Sequence, residues 1–180
     1  MAVYTKISSK DIHLINYRFN IDKIKSFHGI KKGIENTNYL LKTKNEKFIL
    51  TIFEKRVSNK EIPFFMKLMD NLNQSKISCP KPLKDKNGNY LFKLKNKTAC
   101  VVTFLKGKDK KVLNTNNCYQ VGKIISKMHS ITKKLKFSRK NSMGIQNLNT
   151  LLKSTKFKSK NNFNLEKFLA KNLSNIKKNW

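Results

Sequence analysis

Two stretches limit what this chain can fold into more than any others: "KFILTIFEK" at 47–55 and "TACVVTFL" at 98–105. Each is a short apolar run rich in β-branched and aromatic residues. Such runs belong to strands buried within a sheet, because an exposed strand alternates apolar with polar positions. A buried strand needs hydrogen-bonding neighbours and a covering layer, and the rest of the chain has to supply both.

The flanking segments do so. "NIDKIKSFHGI" alternates, with Ile24, Ser26 and His28 on one side and Phe27 on the other, and reads as a strand ending at Gly29. "TNYLLKTK" is a second strand, and the turn "KTKNEK" leads into the first buried run, giving an antiparallel meander. Ahead of it, Ser8 or Ser9 caps a short helix with Ile12, Leu14, Ile15 and Tyr17 on its apolar side. Behind it, "SNKEIPFFMKLMDNLNQ" predicts a helix capped by Ser58, with Glu61 at the capping-box position and Phe65, Leu68, Met69 and Leu72 at helical spacing. Pro63 is compatible with its opening turns.

Two prolines make "ISCPKPL" extended. "DKNGNY" signals a hairpin turn between "KPLKD" and "YLFKL", and "KNK" turns the chain into the second buried run. From "KGKDKK" the composition changes, which marks a lobe boundary. Beyond it, "NTNNCYQVGKIISKMHSITKKL" predicts an amphipathic helix with Val121, Ile124, Ile125 and Met128 inward. The loop "KFSRKNSMGIQN" leads to "LNTLLKS" and a last helix, "NLEKFLAKNLSNIKKNW". The expected class is α+β. An antiparallel sheet lobe with one packed helix spans 1–106, followed by the start of a helical lobe over 107–180.

The formal charge of +30 raises the question of nucleic acid. Only Arg18, Arg56 and Arg139 among the 40 basic residues are arginine, and the lysines are spread along the whole chain. Nucleic-acid readers favour arginine for bidentate contacts, so no specific nucleic-acid partner is expected. No apolar run matches a bilayer's thickness and the N-terminus has no apolar leader, so neither a membrane span nor secretion is expected. Cys79, Cys100 and Cys118 share no disulfide or metal spacing. A reducing cytoplasm is the simplest compartment, and no metal site is expected in the chain itself.

"GIENTNYLL" (33–41), "FILTIFEKR" (48–56), "PFFMKLMDNL" (63–72), "CPKPL" (79–83), "VVTFLKGK" (101–108), "VGKIISKMH" (121–129) and "RKNSMG" (139–144) occur in that order. The series closely resembles the aminoglycoside-phosphotransferase-like homoserine kinases, which have a protein-kinase-like fold. The resemblance implies an ATP-dependent phosphotransferase that uses Mg²⁺ and moves the γ-phosphoryl of ATP to the hydroxyl of L-homoserine, in threonine biosynthesis. It implies a phosphate-covering loop over Gly33 to Asn38, with Asn36, Thr37 and Asn38 as donors; a plain turn would use the same residues. Kinases follow three apolar residues of the third strand with a phosphate-pairing lysine. Here Thr51 stands in that place, which leaves Lys55 or Arg56 to reach in, or to end the strand in solvent. Glu61 is either an ion-pair partner or the capping-box acid. Thr103, Phe104 and Leu105 match the linker that holds adenine, although a strand end before glycine looks alike. His129 reads as a packed or helix-capping residue. Arg139 and Asn141 lie near the substrate or order a loop.

A kinase of this class also needs an H-x-D-x-x-x-x-N loop and a later metal-holding aspartate. After Asp109 the chain has no aspartate and a single acid, Glu166. The chain therefore reads as an N-terminal portion ending before the catalytic loop, inactive alone, with a loosely held tail beyond about residue 145. Two rivals remain: another small-molecule kinase of the choline or aminoglycoside type, and a lysine-rich nucleic-acid-binding protein.

Overall fold

The computed structural model describes residues 3–54, 58–141, 144, 147, 168, 171 and 172. The chain divides into two compact units, Met1–Ser138 and Arg139–Trp180. In the first, the order is α1 (Ser9–Arg18), β1 (Ser26–Gly29), β2 (Thr37–Lys42), β3 (Lys47–Ile52), α2 (Ile62–Gln74), β4 (Leu91–Leu94), β5 (Lys97–Thr103) and α3 (Thr115–Thr132). The strands form one antiparallel sheet in the order β1-β2-β3-β5-β4. The two apolar runs are its adjacent central strands, as their burial demands.

Alternation sends side chains to the two faces of the sheet. Tyr39, Leu41, Phe48, Leu50, Ile52, Phe92, Leu94, Ala99 and Val101 join Ile12, Ile15 and Phe19 of the α1 region in the larger core. Phe19 meets Phe92 edge-on at 5.4 Å. On the other face Ile62 and Met66 of α2 pack with Cys100 and Val102, flanked by half-buried Ile49, Phe53 and Leu91.

Four details differ from the sequence reading. Ser8 does cap α1, with Asp11 completing a capping box, but Leu14 and Tyr17 are 45% and 80% exposed. At about 100° per residue they fall opposite Ile12, Ile15 and Phe19, and a ten-residue helix on a sheet buries one stripe only. Helix α2 is not capped by Ser58. Its N-cap is Glu61, in a helical conformation without a side-chain cap bond. The start is set by Pro63, which favours the first turn, while Ser58 forms a preceding turn by accepting the Glu61 N–H on its carbonyl at 2.9 Å.

The segments around "DKNGNY" do not pair with each other as a strand hairpin; they follow one another along β5. Pro82 bridges Val102, with the Leu83 N–H on the Val101 carbonyl at 2.9 Å, and β4 pairs with 97–100. Proline has no N–H to give, so this segment suits the sheet's edge. Asp85 closes the turn, accepting the N–H groups of Asn87 and Asn89 at 3.0 and 2.8 Å and the Nε–H of Arg18 at 2.8 Å.

Helix α3 forms with Asn114 as its N-cap, but none of its residues is buried: Val121, Ile124 and Ile125 are 53%, 56% and 42% exposed. Helical periodicity marks an apolar side without specifying what covers it. In the second unit the Asn141 carbonyl accepts the Gly144 N–H and the Asn147 side chain, both at 3.1 Å, and residues 168, 171 and 172 are helical. The expected loose tail beyond about 145 lies largely outside the described residues. Among the described residues no helix is long and apolar enough to cross a membrane.

Candidate functional site

The α2-facing side of the sheet is only partly covered. Leu40, Ile49 and Val102 stand side by side across β2, β3 and β5; Val102 lies under α2, whereas Leu40 and Ile49 are half-buried. Two residues along, about 7 Å away, lies the register row Asn38, Thr51 and Cys100. Here the Thr51 hydroxyl donates to Asn38 Oδ1 at 2.8 Å. An apolar platform thus adjoins a polar pair on one accessible face.

The polar end borders the connection between β1 and β2. Its start is tied down by the Ile30 N–H on the Asn38 carbonyl at 2.8 Å. Its end is fixed by the Glu54 N–H on Asn36 Oδ1 at 3.3 Å. Gly33 has φ of +111° with no atom within 4 Å of where a Cβ would lie, so glycine is needed there for conformation rather than space. The exposed pair Lys32–Asp109, at 3.4 Å, brings this loop to the connector after β5.

Thr37 has another occupation. It is fully buried, accepts the N–H groups of Tyr4 and Thr5 at 2.9 and 3.1 Å, and donates to Glu54 Oε1 at 2.7 Å. Its hydroxyl is therefore spent inside the fold. Glu54 also accepts from the Thr5 hydroxyl at 2.7 Å and from Lys97 Nζ. Burial pushes its carboxyl up, but the bonds from Lys97, Thr5 and Thr37 and the lysine's charge outweigh this and hold it below the ordinary value. Sequence reasoning missed this cluster. The available signal was an acid directly after "FILTIF", since a carboxylate at the end of a buried strand has to find partners.

At the apolar end, Thr103 pairs fully with Lys81: its N–H goes to the Lys81 carbonyl and its hydroxyl accepts the Lys81 N–H, each at 2.9 Å. The Phe104 N–H donates to the Lys47 carbonyl at 3.1 Å, and its half-exposed ring lies 5.8 Å from Lys47 Nζ. Further along the linker, the Phe104 carbonyl and both main-chain groups of Leu105 have no hydrogen-bond partner among the described residues. Glu61 sits at the start of α2. Lys55 and Arg56 lie outside the described residues. Arg139 and Asn141 belong to the second unit, where the Asn141 carbonyl closes a turn. His129 is exposed in the last turn of α3. All three cysteines are free. Among the described residues no three His, Cys, Asp or Glu side chains gather as a metal site.

A five-stranded antiparallel sheet with one helix against the face that carries this platform is the layout of a protein-kinase-like N-lobe. Residues 26–167 match the phosphotransferase enzyme family, and the chain belongs to that family. Among curated proteins it is similar to the homoserine kinase of Bartonella tribocorum, at 36% identity over 84% of this chain and 47% of that protein. It is likewise similar to the homoserine kinase of Gluconobacter oxydans, at 39% identity over 72% and 41%. The chain spans about half the length of these curated relatives. Its fold resembles a spectinomycin phosphotransferase solved with ADP and spectinomycin, with a TM-score of 0.57 at 14% identity over 97% of this chain and 56% of that one. A microcompartment-associated aminopropanol kinase follows at 0.53 and 13%, over 76% and 43%. At such identities the likeness is one of fold.

Proposed function

We propose that these residues form the nucleotide-binding part of an ATP-dependent homoserine kinase, which moves the γ-phosphoryl of ATP to the hydroxyl of L-homoserine in the cytoplasm. The observation that carries the nucleotide reading is the half-buried pair Leu40 and Ile49 beside buried Val102, set between a main-chain edge and a polar pair. Adenine needs apolar contact on its faces and main-chain groups at its edge. Leu40 and Ile49 offer the first and Leu105 the second. Phosphates need donors, which Asn38 and the N–H groups of the Gly33 loop supply one strand-step further on.

On this reading residues 1–106 are the nucleotide lobe and 107–180 begin a helical lobe, with Arg139 and Asn141 on the acceptor side. L-homoserine as acceptor rests on the curated relatives at 36–39% identity. The described residues bring together no acidic set fitted to Mg²⁺, so no metal-dependent step is assigned to them.

The test is a titration of the 180-residue protein with ADP, followed by methyl and amide NMR. Shifts at Leu40, Ile49, Val102 and Leu105 are expected. ADP binding that leaves all four unmoved, or no ADP binding at millimolar concentration, would overturn the assignment.

A further inference from the structure

The place where a kinase strand offers its lysine is filled here by Thr51, and Thr51 is not idle. Its hydroxyl donates to Asn38 Oδ1 across the β2–β3 pair at 2.8 Å. A carboxamide has one acceptor end and one donor end, and while the Thr51 hydroxyl donates to Oδ1 the donor end points away from it. With Oδ1 held by Thr51, the Asn38 Nδ2 group is the free end. It has no protein partner among the described residues. It is not sealed in either, because no buried side-chain nitrogen or oxygen there lacks a bond. An oriented donor therefore lies on the open face beside the apolar platform. A phosphate oxygen there accepts from Nδ2 and so selects the orientation in which the Thr51 hydroxyl, able to donate as well as accept, donates to Oδ1.

We propose that Thr51 is a positioning residue that braces the Asn38 carboxamide, satisfying Oδ1 while Nδ2 meets a phosphate oxygen of the bound nucleotide. A neutral dipole on β2, braced by the residue that stands in the strand-lysine place, thus faces the phosphates. The inference rests on the nucleotide reading above and adds the device by which β3 serves the phosphates without a cation at that position. Thr51 touches no ligand; it acts through Asn38.

The experiment compares ADP with adenosine, which keeps the base and sugar and lacks the phosphates. Affinities are measured for the 180-residue protein and for Thr51→Val, Thr51→Ser and Asn38→Asp, with folding checked by circular dichroism. Thr51→Val should weaken ADP about tenfold, the scale of one hydrogen bond to a charged group, and leave adenosine within about twofold. Thr51→Ser keeps the hydroxyl and should restore ADP binding to within about threefold. Asn38→Asp should lose measurable ADP binding while keeping adenosine. In the unmodified protein the Asn38 side-chain NH₂ resonances should move with ADP and stay still with adenosine.

Each other outcome has a defined meaning. Failure of the unmodified protein to bind ADP or adenosine overturns the nucleotide reading and this inference with it. Normal ADP binding by Thr51→Val, or equal losses for ADP and adenosine, overturns the role of Thr51 alone. Should Thr51→Val not fold, Thr51→Ser and Asn38→Asp decide: ADP affinity unchanged in Asn38→Asp refutes the proposal.

Discussion

Replacing Thr37 by valine removes a hydroxyl and almost no volume, so the effect reports hydrogen bonding rather than packing. Three bonds disappear: those from the Tyr4 and Thr5 N–H groups and the one to Glu54 Oε1. A buried donor left without a partner costs about 1–3 kcal/mol. Thr5 is buried and bears that cost, whereas Tyr4 is exposed and its amide can be rehydrated. Glu54 keeps the Thr5 hydroxyl and Lys97 and loses one charge-assisted bond. The expected loss is about 3 kcal/mol, a large part of the roughly 5–15 kcal/mol that holds a domain together. Urea unfolding at pH 7 should show a lower midpoint with an unchanged slope. Amide exchange at Tyr4 and Thr5 should quicken ahead of the sheet, and Thr37→Ser should recover most of the loss. ADP affinity of the folded variant should match that of the unmodified protein, because the hydroxyl is spent inside the fold. A loss below about 1 kcal/mol, or a selective loss of ADP binding, would refute this placement of Thr37 and return it to the phosphates.

Acid should destabilise the fold through Asp11, Glu54 and Asp85. In each, burial alone would raise the carboxyl, but bonds from Ser8, Lys97 and the Asn89 N–H with Arg18, respectively, hold it below its ordinary value. Because the unfolded chain then binds protons first, this stability is complete above the ordinary carboxylate range near 4 and is lost as pH falls through the depressed folded values; melting temperatures rising from pH 5 to pH 3 would contradict it. Asp85→Ala strands the Arg18 guanidinium and two turn N–H groups, and should cost about 3 kcal/mol by urea unfolding. Leu50→Ala, at a fully buried site in the central strand, should cost about 2–5 kcal/mol in the same assay. A thiol reagent at pH 8 should label exposed Cys118 quickly and Cys79 more slowly, burial having raised its pKa. Cys100, pushed up to about 12 by burial, should react only on unfolding.

The sheet was legible because its signals are local and strong. Unbroken runs around Leu50 and Val101 demand central strands, and the order of strands and helices follows from periodicity and turns. The serine cap at Ser8 or Ser9 was legible for the same reason. What escaped is what depends on neighbours distant in sequence. Nothing near Thr37 shows that its hydroxyl will meet Glu54, and nothing near Pro82 shows that it will lie on β5 rather than β4. Both are settled by strand order, which sequence constrains weakly. The exposed side of α3 belongs to the same class. In the candidate site, the Gly33 loop and the Thr51 departure stood out from the motif alone, but the bond joining Thr51 to Asn38 needed the β2–β3 register. Lys55, the sequence's substitute cation, lies outside the described residues.

The cluster around Glu54 also imposes an order of events on folding. Thr5 is tied to residues 32, 49 and 92 positions further along the chain, at Thr37, Glu54 and Lys97. The segment around Thr5 therefore cannot reach its final place until β5 has paired with β3. Closing that span costs loop entropy that local contacts do not, so the β2–β3 hairpin should form early and the N-terminal segment should dock late. Its protection in a pulse-labelled refolding experiment would date the completion of the sheet.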